Sequence, residues 1–248
     1  MNTHRTSGRF LAFDTSTDTL SVGVSDGQQH WLHTGPGAAQ SSTTLIPTLL
    51  ALLAQAGLSL RSLDAIVFGR GPGSFTGLRT ACAVAQGLAA GSDRPVLPID
   101  TLMAVADEAR VQAPESPTQI TAMLDARMNE VYLQHFEVQA GQLRALGPCA
   151  VLAPERVSYP PGARRCVAGN ALGAYGDRLP TLPADGRWFS ALPTAAALLR
   201  LAPGLLHQAV PAAQALPLYV RDKVAQTTEE RLAAKALADA AAHPRAGA

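Results

Sequence analysis

The sequence predicts an α/β protein in two unequal parts. A complete first lobe spans residues 8–110, a smaller α/β lobe spans 111–225, and an Ala-rich helical tail covers 226–248. Three observations carry this reading. Short apolar runs with strand periodicity alternate with helical segments through the first half. A glycine-rich loop joins one of those runs to a helix. Beyond Arg110 the strand pattern restarts, but the later segments are less regular and are broken by Pro203, Pro211 and Pro217.

The elements follow in order. Arg9 to Asp14 is a compact apolar strand, and Thr15-Ser16-Thr17-Asp18 supplies turn chemistry. Leu20, Val22 and Val24 alternate with small or polar residues, as in a half-buried strand. Asp26-Gly27 signals a hairpin, with Gln28 to His33 returning. A helix is expected over Leu45–Gly57, capped by Ser42 or Thr43, with Pro47 in its first turn and Gly57 as its stop. Leu45, Leu49, Leu52 and Ala56 form one stripe of it, and Ile46, Leu50 and Leu53 an adjacent one. So wide an apolar arc must be covered on more than one side. Asp64 to Gly69 is a buried strand, and a helix over Phe75–Ala90 follows the glycine loop. Gly77, Ala81, Ala85 and Ala89 recur every fourth residue of it, leaving a face nearly bare of side chains.

Pro95 to Ile99 is a further strand and Thr101 to Arg110 a further helix, with Asp100 or Thr101 near its cap. Gln119–Asp125 and Val131–Val138 read as strands, with a return over Gly141–Gly147. Arg165–Ala168 suits a strand, Leu172–Arg178 and Thr194–Leu201 suit helices, and Glu229–Ala242 a terminal helix.

Charge and cysteine usage narrow the function classes. Twenty basic residues against nineteen acidic ones give a net charge of +1, so no global field grips a polyanion. A small patch of Arg70, Arg79, Arg221 and Lys223 is the most that direct nucleic-acid binding could draw on. Cys82, Cys149 and Cys166 are odd in number and lack a C-x-x-C pattern, which argues against disulfide scaffolds and zinc ribbons and for a reducing, cytoplasmic setting. The apolar run Phe10–Phe13 is too short for a signal-peptide core. The stretch Leu45–Leu58 is interrupted and falls short of a membrane span, so no membrane partner is expected.

Two motifs could carry chemistry. Gly69-Arg70-Gly71-Pro72-Gly73-Ser74-Phe75-Thr76-Gly77 lies between a strand and a helix, where backbone N–H groups favour an anion. It is neither a Walker A motif nor G-x-G-x-x-G, and a turn for close strand–helix packing explains it equally well. Asp14 ends a strand with hydroxyls behind it. It could hold a metal–phosphate, activate a hydroxyl, or simply cap its own turn. Ser74 is not in a G-x-S-x-G frame, and the six histidines never fall at i, i+4 on a helix. Cys82 is expected as a small buried thiol, and Asp125 with Arg127 as a turn between strands.

The stretches Leu11–Thr17 (LAFDTST), Gly69–Arg79 (GRGPGSFTGLR) and Asp125–Tyr132 (DARMNEVY) together resemble the bacterial TsaB (YeaZ) family, and Leu218–Ala225 (LYVRDKVA) resembles its C-terminal segment. The resemblance covers residues 9–225 and rests most firmly on the glycine motif with its Leu78-Arg79 continuation. It implies an actin/Hsp70-like fold of the ASKHA superfamily, ribonuclease H-like in each lobe, with the second lobe reduced. It also implies a part in making threonylcarbamoyladenosine beside the anticodon of tRNA. In that machinery the paralogous TsaD is catalytic and carries a His-x-x-x-His metal site. TsaB binds and activates it, and the ATPase TsaE completes the set. The positions matching the metal histidines are Thr101 and Val105, neither able to replace imidazole. One departure is that Ser41-Ser42 stands where the family often has His-Ser.

What the resemblance implies for sites is therefore non-catalytic. No cofactor or metal of its own is expected for the chain. ADP or ATP is expected at the junction with the partner, contacted by Asp14, Thr15, Gly71, Pro72, Gly73, Ser74, Thr76 and Gly77. The two apolar helices are expected to form a four-helix contact with a homologous subunit through Leu45, Leu49, Leu53, Gly77, Ala81 and Ala85, unless both pack only on their own sheet. The same surface implies a homodimer when the chain is alone, and tRNA contact mainly through the complex. The rival reading is a stand-alone ASKHA phosphotransferase using Asp14, Mg²⁺ and the glycine loop. Against it stand the reduced second lobe and the absence of a second acidic strand end.

Overall fold

The computed structural model describes residues 7–37, 41–161 and 164–221. Residues up to Leu218 form one compact unit, and the second unit begins at Tyr219. The Ala-rich tail and its expected helix lie outside the described residues.

Two sheets share one connectivity. In the first, β1 (Phe10–Asp14), β2 (Thr19–Ser25) and β3 (His30–Pro36) run antiparallel, and β4 (Ala65–Gly71) and β5 (Val96–Asp100) add in parallel, in the order β3-β2-β1-β4-β5. In the second, β6 (Gln119–Asp125), β7 (Val131–Gln139) and β8 (Gln142–Ala145) form the meander, and β10 (Arg165–Gly169) and β11 (Arg187–Ser190) are parallel to β6. Its order is β11-β10-β6-β7-β8, with β9 (Ala150–Leu152) completing the edge beside β7. Read from the meander side, the two orders are the same. The sheet of the second lobe is thus retained in full, and what is reduced is its helical cover.

Alternation along the central strands explains why both faces of the first sheet are dry. Leu11, Phe13, Ile66 and Phe68 face one core cluster, while Phe10, Ala12, Ala65 and Val67 face another. The first cluster is closed by α1 (Ser41–Gln55) and α2 (Phe75–Ser92). The second is closed by α5 (Ala195–Leu205), whose Ala195, Leu198, Leu199 and Ala202 are buried there. Helix α3 (Thr101–Gln112) follows the first sheet yet lies mainly on β6 and β10 of the second, and it packs against α5. Helices α3 and α5 are therefore exchanged, each leaving one sheet and covering the other. Among the described residues, only α4 (Ala171–Tyr175) and short 3₁₀ turns accompany the far face of the second sheet, around Met123, Val131, Leu133 and Val167.

Several expectations are corrected. Helix α1 begins at Ser41, so Ser42 and Thr43 are inside it and Pro47 sits in the second turn. Gly57, at φ +64°, ends it as expected. Its amide donates to the Ala54 carbonyl and that of Leu58 to Leu53, a Schellman closure. Helix α5 runs through Pro203 to Leu205, with Thr194 as cap through its hydroxyl accepting from the Ala197 amide. The lobes are not contiguous at 110/111 either. Residues 195–218 return to the first sheet: Val210 bridges Val96, and Ala215 lies in the first lobe's core. Strands β9 and β11 had no clear sequence signal, being short and only partly buried.

Charged groups secure α3 against α5. The Asp107 carboxylate, almost wholly buried, pairs with Arg110 and Arg200 at 2.6 Å each, and Arg200 also reaches Glu108.

Candidate functional site

Strand β1 delivers Asp14 to the point where the β4–α2 loop turns, and Asp14 is fully buried there. Its Oδ1 accepts from the Ser16 amide at 2.8 Å and the Ser16 hydroxyl at 2.6 Å. Its Oδ2 accepts from the Thr101 hydroxyl at 3.4 Å, and that hydroxyl in turn accepts from the Gly71 amide at 3.1 Å. Burial raises the Asp14 pKa to about 6 in spite of these bonds. Asp14 caps its own turn, and its oxygens are taken up inside the chain.

The glycines of the loop are explained by what fills their cradle. A Cβ on Gly69 would stand 1.7 Å from the Asp14 carboxylate, one on Gly73 2.5 Å from the Ser16 carbonyl, and one on Gly77 1.9 Å from the Thr15 carbonyl. Gly71, at φ +118°, needs glycine for its backbone as well. The Thr15 hydroxyl donates to the Gly77 carbonyl at 2.7 Å, and the Ser74 amide donates to the Ser16 carbonyl at 2.7 Å. Ser74 caps α2, its hydroxyl accepting from the Gly77 amide. Amides expected to cradle a phosphate at Gly71, Ser74 and Gly77 are therefore engaged by Thr101, Ser16 and Ser74. The loop brings Asp14, Thr15, Gly71, Gly73, Ser74 and Gly77 together as a packed knot. Pro72 is buried beside them, while Ser74 and Thr76 are exposed.

Asp125, expected only as a turn residue with Arg127, is a second strand-end carboxylate that matches the first, which corrects the expected absence of such an acid. Asp125 ends β6 as Asp14 ends β1, and its Oδ1 accepts from the Arg127 amide at 2.7 Å, two residues on, as Asp14 does from Ser16. The Tyr175 hydroxyl lies 2.7 Å from the same oxygen, which with burial pushes the phenol up to about 12. Arg127, Met128 and Asn129 are all left-handed, and the Arg127 guanidinium reaches Asp18 of the first turn at 3.0 Å. Shared topology is the signal that would have found Asp125, since no local motif repeats that of Asp14.

The expected interface residues face inward. Leu45, Leu49, Leu53, Ala81 and Ala85 belong to the first lobe's own core, and Gly77 rests on Thr15. Helix α2 lies chiefly on β4, so its Gly/Ala stripe accommodates the sheet. The outward face has a different set. On α1, Ile46 and Leu50 are 44% and 50% exposed. On α2, Ala83, Gly87, Ala90 and Gly91 are exposed, and a Cβ on Gly87 or Gly91 would meet no atom within 4 Å. Phe75, under the Arg79 guanidinium at 3.8 Å, heads the same helix. Of the expected basic patch, Arg70 is paired with Asp100, and Lys223 lies outside the described residues. Thr101 serves Asp14 and Gly71, and Val105 is buried core. Cys82 is a buried thiol directed at the Ala215 carbonyl, its pKa raised by burial.

Among solved structures, YeaZ from Pseudomonas aeruginosa superposes with a TM-score of 0.79 at 39% identity, covering 86% of this chain and 99% of that one. The chain belongs to the TsaB (YeaZ) family. Its fold is accordingly that of YeaZ, with the duplicated sheet described above, in keeping with the α/β two-sheet architecture expected. A family model described as TsaD, tRNA N6-adenosine threonylcarbamoyltransferase, matches residues 36–247. The tRNA threonylcarbamoyladenosine biosynthesis protein TsaB of Haemophilus influenzae is 44% identical over 49% of this chain and 51% of its own. The Escherichia coli protein of the same name is 37% identical over 52% and 55%. The chain thus spans about half the length of these curated TsaB relatives. Among the described residues, no helix is long and apolar enough to cross a membrane.

Proposed function

We propose that this chain is the non-catalytic subunit that binds and activates a TsaD-like transferase in forming threonylcarbamoyladenosine in tRNA. One observation carries the reading: the outer face of α1 and α2 is apolar and small without any reason inside the chain. Glycine in a helix interior costs about 1 kcal/mol against alanine, yet Gly87 and Gly91 have open space above them. On α1, Ile46 and Leu50 leave two large aliphatic side chains in water. A partner helix pair that needs close backbone approach accounts for both features. Offered to a second copy, the same face accounts for a homodimer in isolation.

The chemistry belongs to the partner in this proposal, because Asp14 and Asp125 are both engaged at home. ADP or ATP then binds at the junction of the two subunits, toward the exposed Ser74 and Thr76. A TsaE-like ATPase acts on the assembled pair, and tRNA is held mainly by the complex, in keeping with a net charge of +1. The cytoplasm is the setting this work requires. The test is co-purification with a TsaD-like subunit and reconstitution of the modification with and without this chain. Leu50→Arg and Gly87→Arg are expected to abolish both. Modification at full rate without the chain, or assembly unaffected by both variants, overturns the reading.

A further inference from the structure

The second lobe holds a cavity that none of these features uses. It opens where α3 has ended and where β10 and β11 begin, and its volume is about 280 Å³. That is close to the lower end of small-molecule sites, which run from roughly 300 to 1,000 Å³. Arg164, Arg165 and Arg187 all line it, in a chain with only twenty basic residues. Glu115 and Asp185 are its lining acids, and Pro114, Pro117 and Phe189 give it an apolar wall.

The charges in the cavity do not cancel. Asp185 is committed to Arg165, 3.1 Å away, which leaves Arg164 and Arg187 facing Glu115. The Arg165 guanidinium donates from one terminal nitrogen to the Pro160 carbonyl and from the other to Asp185. Its Nε is buried and has no hydrogen-bond partner. Arg187 also acts on the neighbouring thiol: burial raises the Cys166 pKa and the Arg187 charge opposes the rise.

We propose that this cavity binds a small organic anion, a carboxylate or phosphate monoester carried on a flat apolar body. The anion accepts from the Arg164 and Arg187 guanidinium groups that line the cavity, whose planar forks suit either group. The body lies against Phe189 and the two prolines, where an aromatic wall rewards a flat partner. Nothing in this site depends on the α1–α2 face, so its fate is independent of the partner-binding reading.

The experiment titrates the full chain with benzoate, phenyl phosphate, inorganic phosphate and neutral benzamide, following the backbone amide signals of Cys166, Arg187 and Phe189. Saturable shifts are expected with at least one aryl anion, and the tighter of the two identifies carboxylate or phosphate. Benzamide and inorganic phosphate should each bind at least tenfold more weakly than that anion. Arg187→Gln, at an exposed strand position, should weaken it at least tenfold with an unchanged melting temperature. Absence of saturable shifts overturns the proposal. So does benzamide or inorganic phosphate binding as tightly as the aryl anions, or binding that is indifferent to both Arg187→Gln and Phe189→Leu.

Discussion

Asp14 and Asp125 occupy the same position in two successive copies of one sheet, each ending the first strand and each bonded to the amide two residues on. Their surroundings have diverged. Asp14 is sealed among hydroxyls and glycines, while Asp125 is held by Arg127 and Tyr175 near the surface. In a phosphotransferase a pair of strand-end acids would face a nucleotide and its metal; here both point into contacts of their own lobes.

The Asp14 carboxyl sets a pH dependence of stability. Its folded pKa, about 6, lies above the ordinary carboxyl value of 3.8. Its contribution is therefore complete below pH 4 and is lost as pH rises through 6, amounting to about 3 kcal/mol at about 1.4 kcal/mol per unit. Asp14→Asn should remove that loss. Urea midpoints of wild type and variant, compared at pH 4.5 and 7.5, check it: the difference between them should change with pH in the variant's favour.

Two glycines of one helix should respond oppositely to alanine. Gly77→Ala drives a Cβ into the Thr15 carbonyl and should cost about 3 kcal/mol or more. Gly87→Ala meets open space and should stabilise the isolated chain by about 1 kcal/mol. Denaturant melts of the two variants decide this.

Arginine at Ala81 or Ala85 should prevent folding, since both positions are wholly buried. Arginine at Leu50 or Gly87 should leave the melting temperature within a few degrees while removing complex formation. Circular dichroism and analytical ultracentrifugation with the TsaD-like partner separate the two classes.

Purified chain should hydrolyse ATP no faster than background. A steady rate abolished by Asp14→Asn or Asp125→Asn would restore the phosphotransferase reading.

Arg200→Met should destabilise by about 3 kcal/mol, because Asp107 stays buried with Arg110 as its remaining cation. Double-mutant analysis with Asp107→Asn should recover much of that loss.

The first lobe was legible because its strands carry clean period-two or continuous apolar runs, and its helices end on readable signals such as Gly57. The faces of α2 were not legible. Gly77, Ala81 and Ala85 on one side and Ala83, Gly87 and Gly91 on the other are equally small, so periodicity alone cannot tell which meets the sheet. The occupant of the glycine cradle was hidden for another reason. Thr15 and Gly77 stand 62 residues apart, and nothing local to either announces their contact. Arg187 and Arg165 likewise meet only through the parallel pairing of β10 and β11.

The exchange of α3 and α5 between the two sheets has a consequence for dissection of the protein. A chain severed in the loop between α3 and β6 would yield two halves, each bearing a helix that covers the other and leaving one face of its own sheet bare. Neither fragment is then an autonomous module, and cutting the gene at the apparent midpoint cannot isolate a lobe. Mixed together, the halves have matching wounds, so the natural outcome is reassembly: a split protein whose recovery reports that both fragments are present.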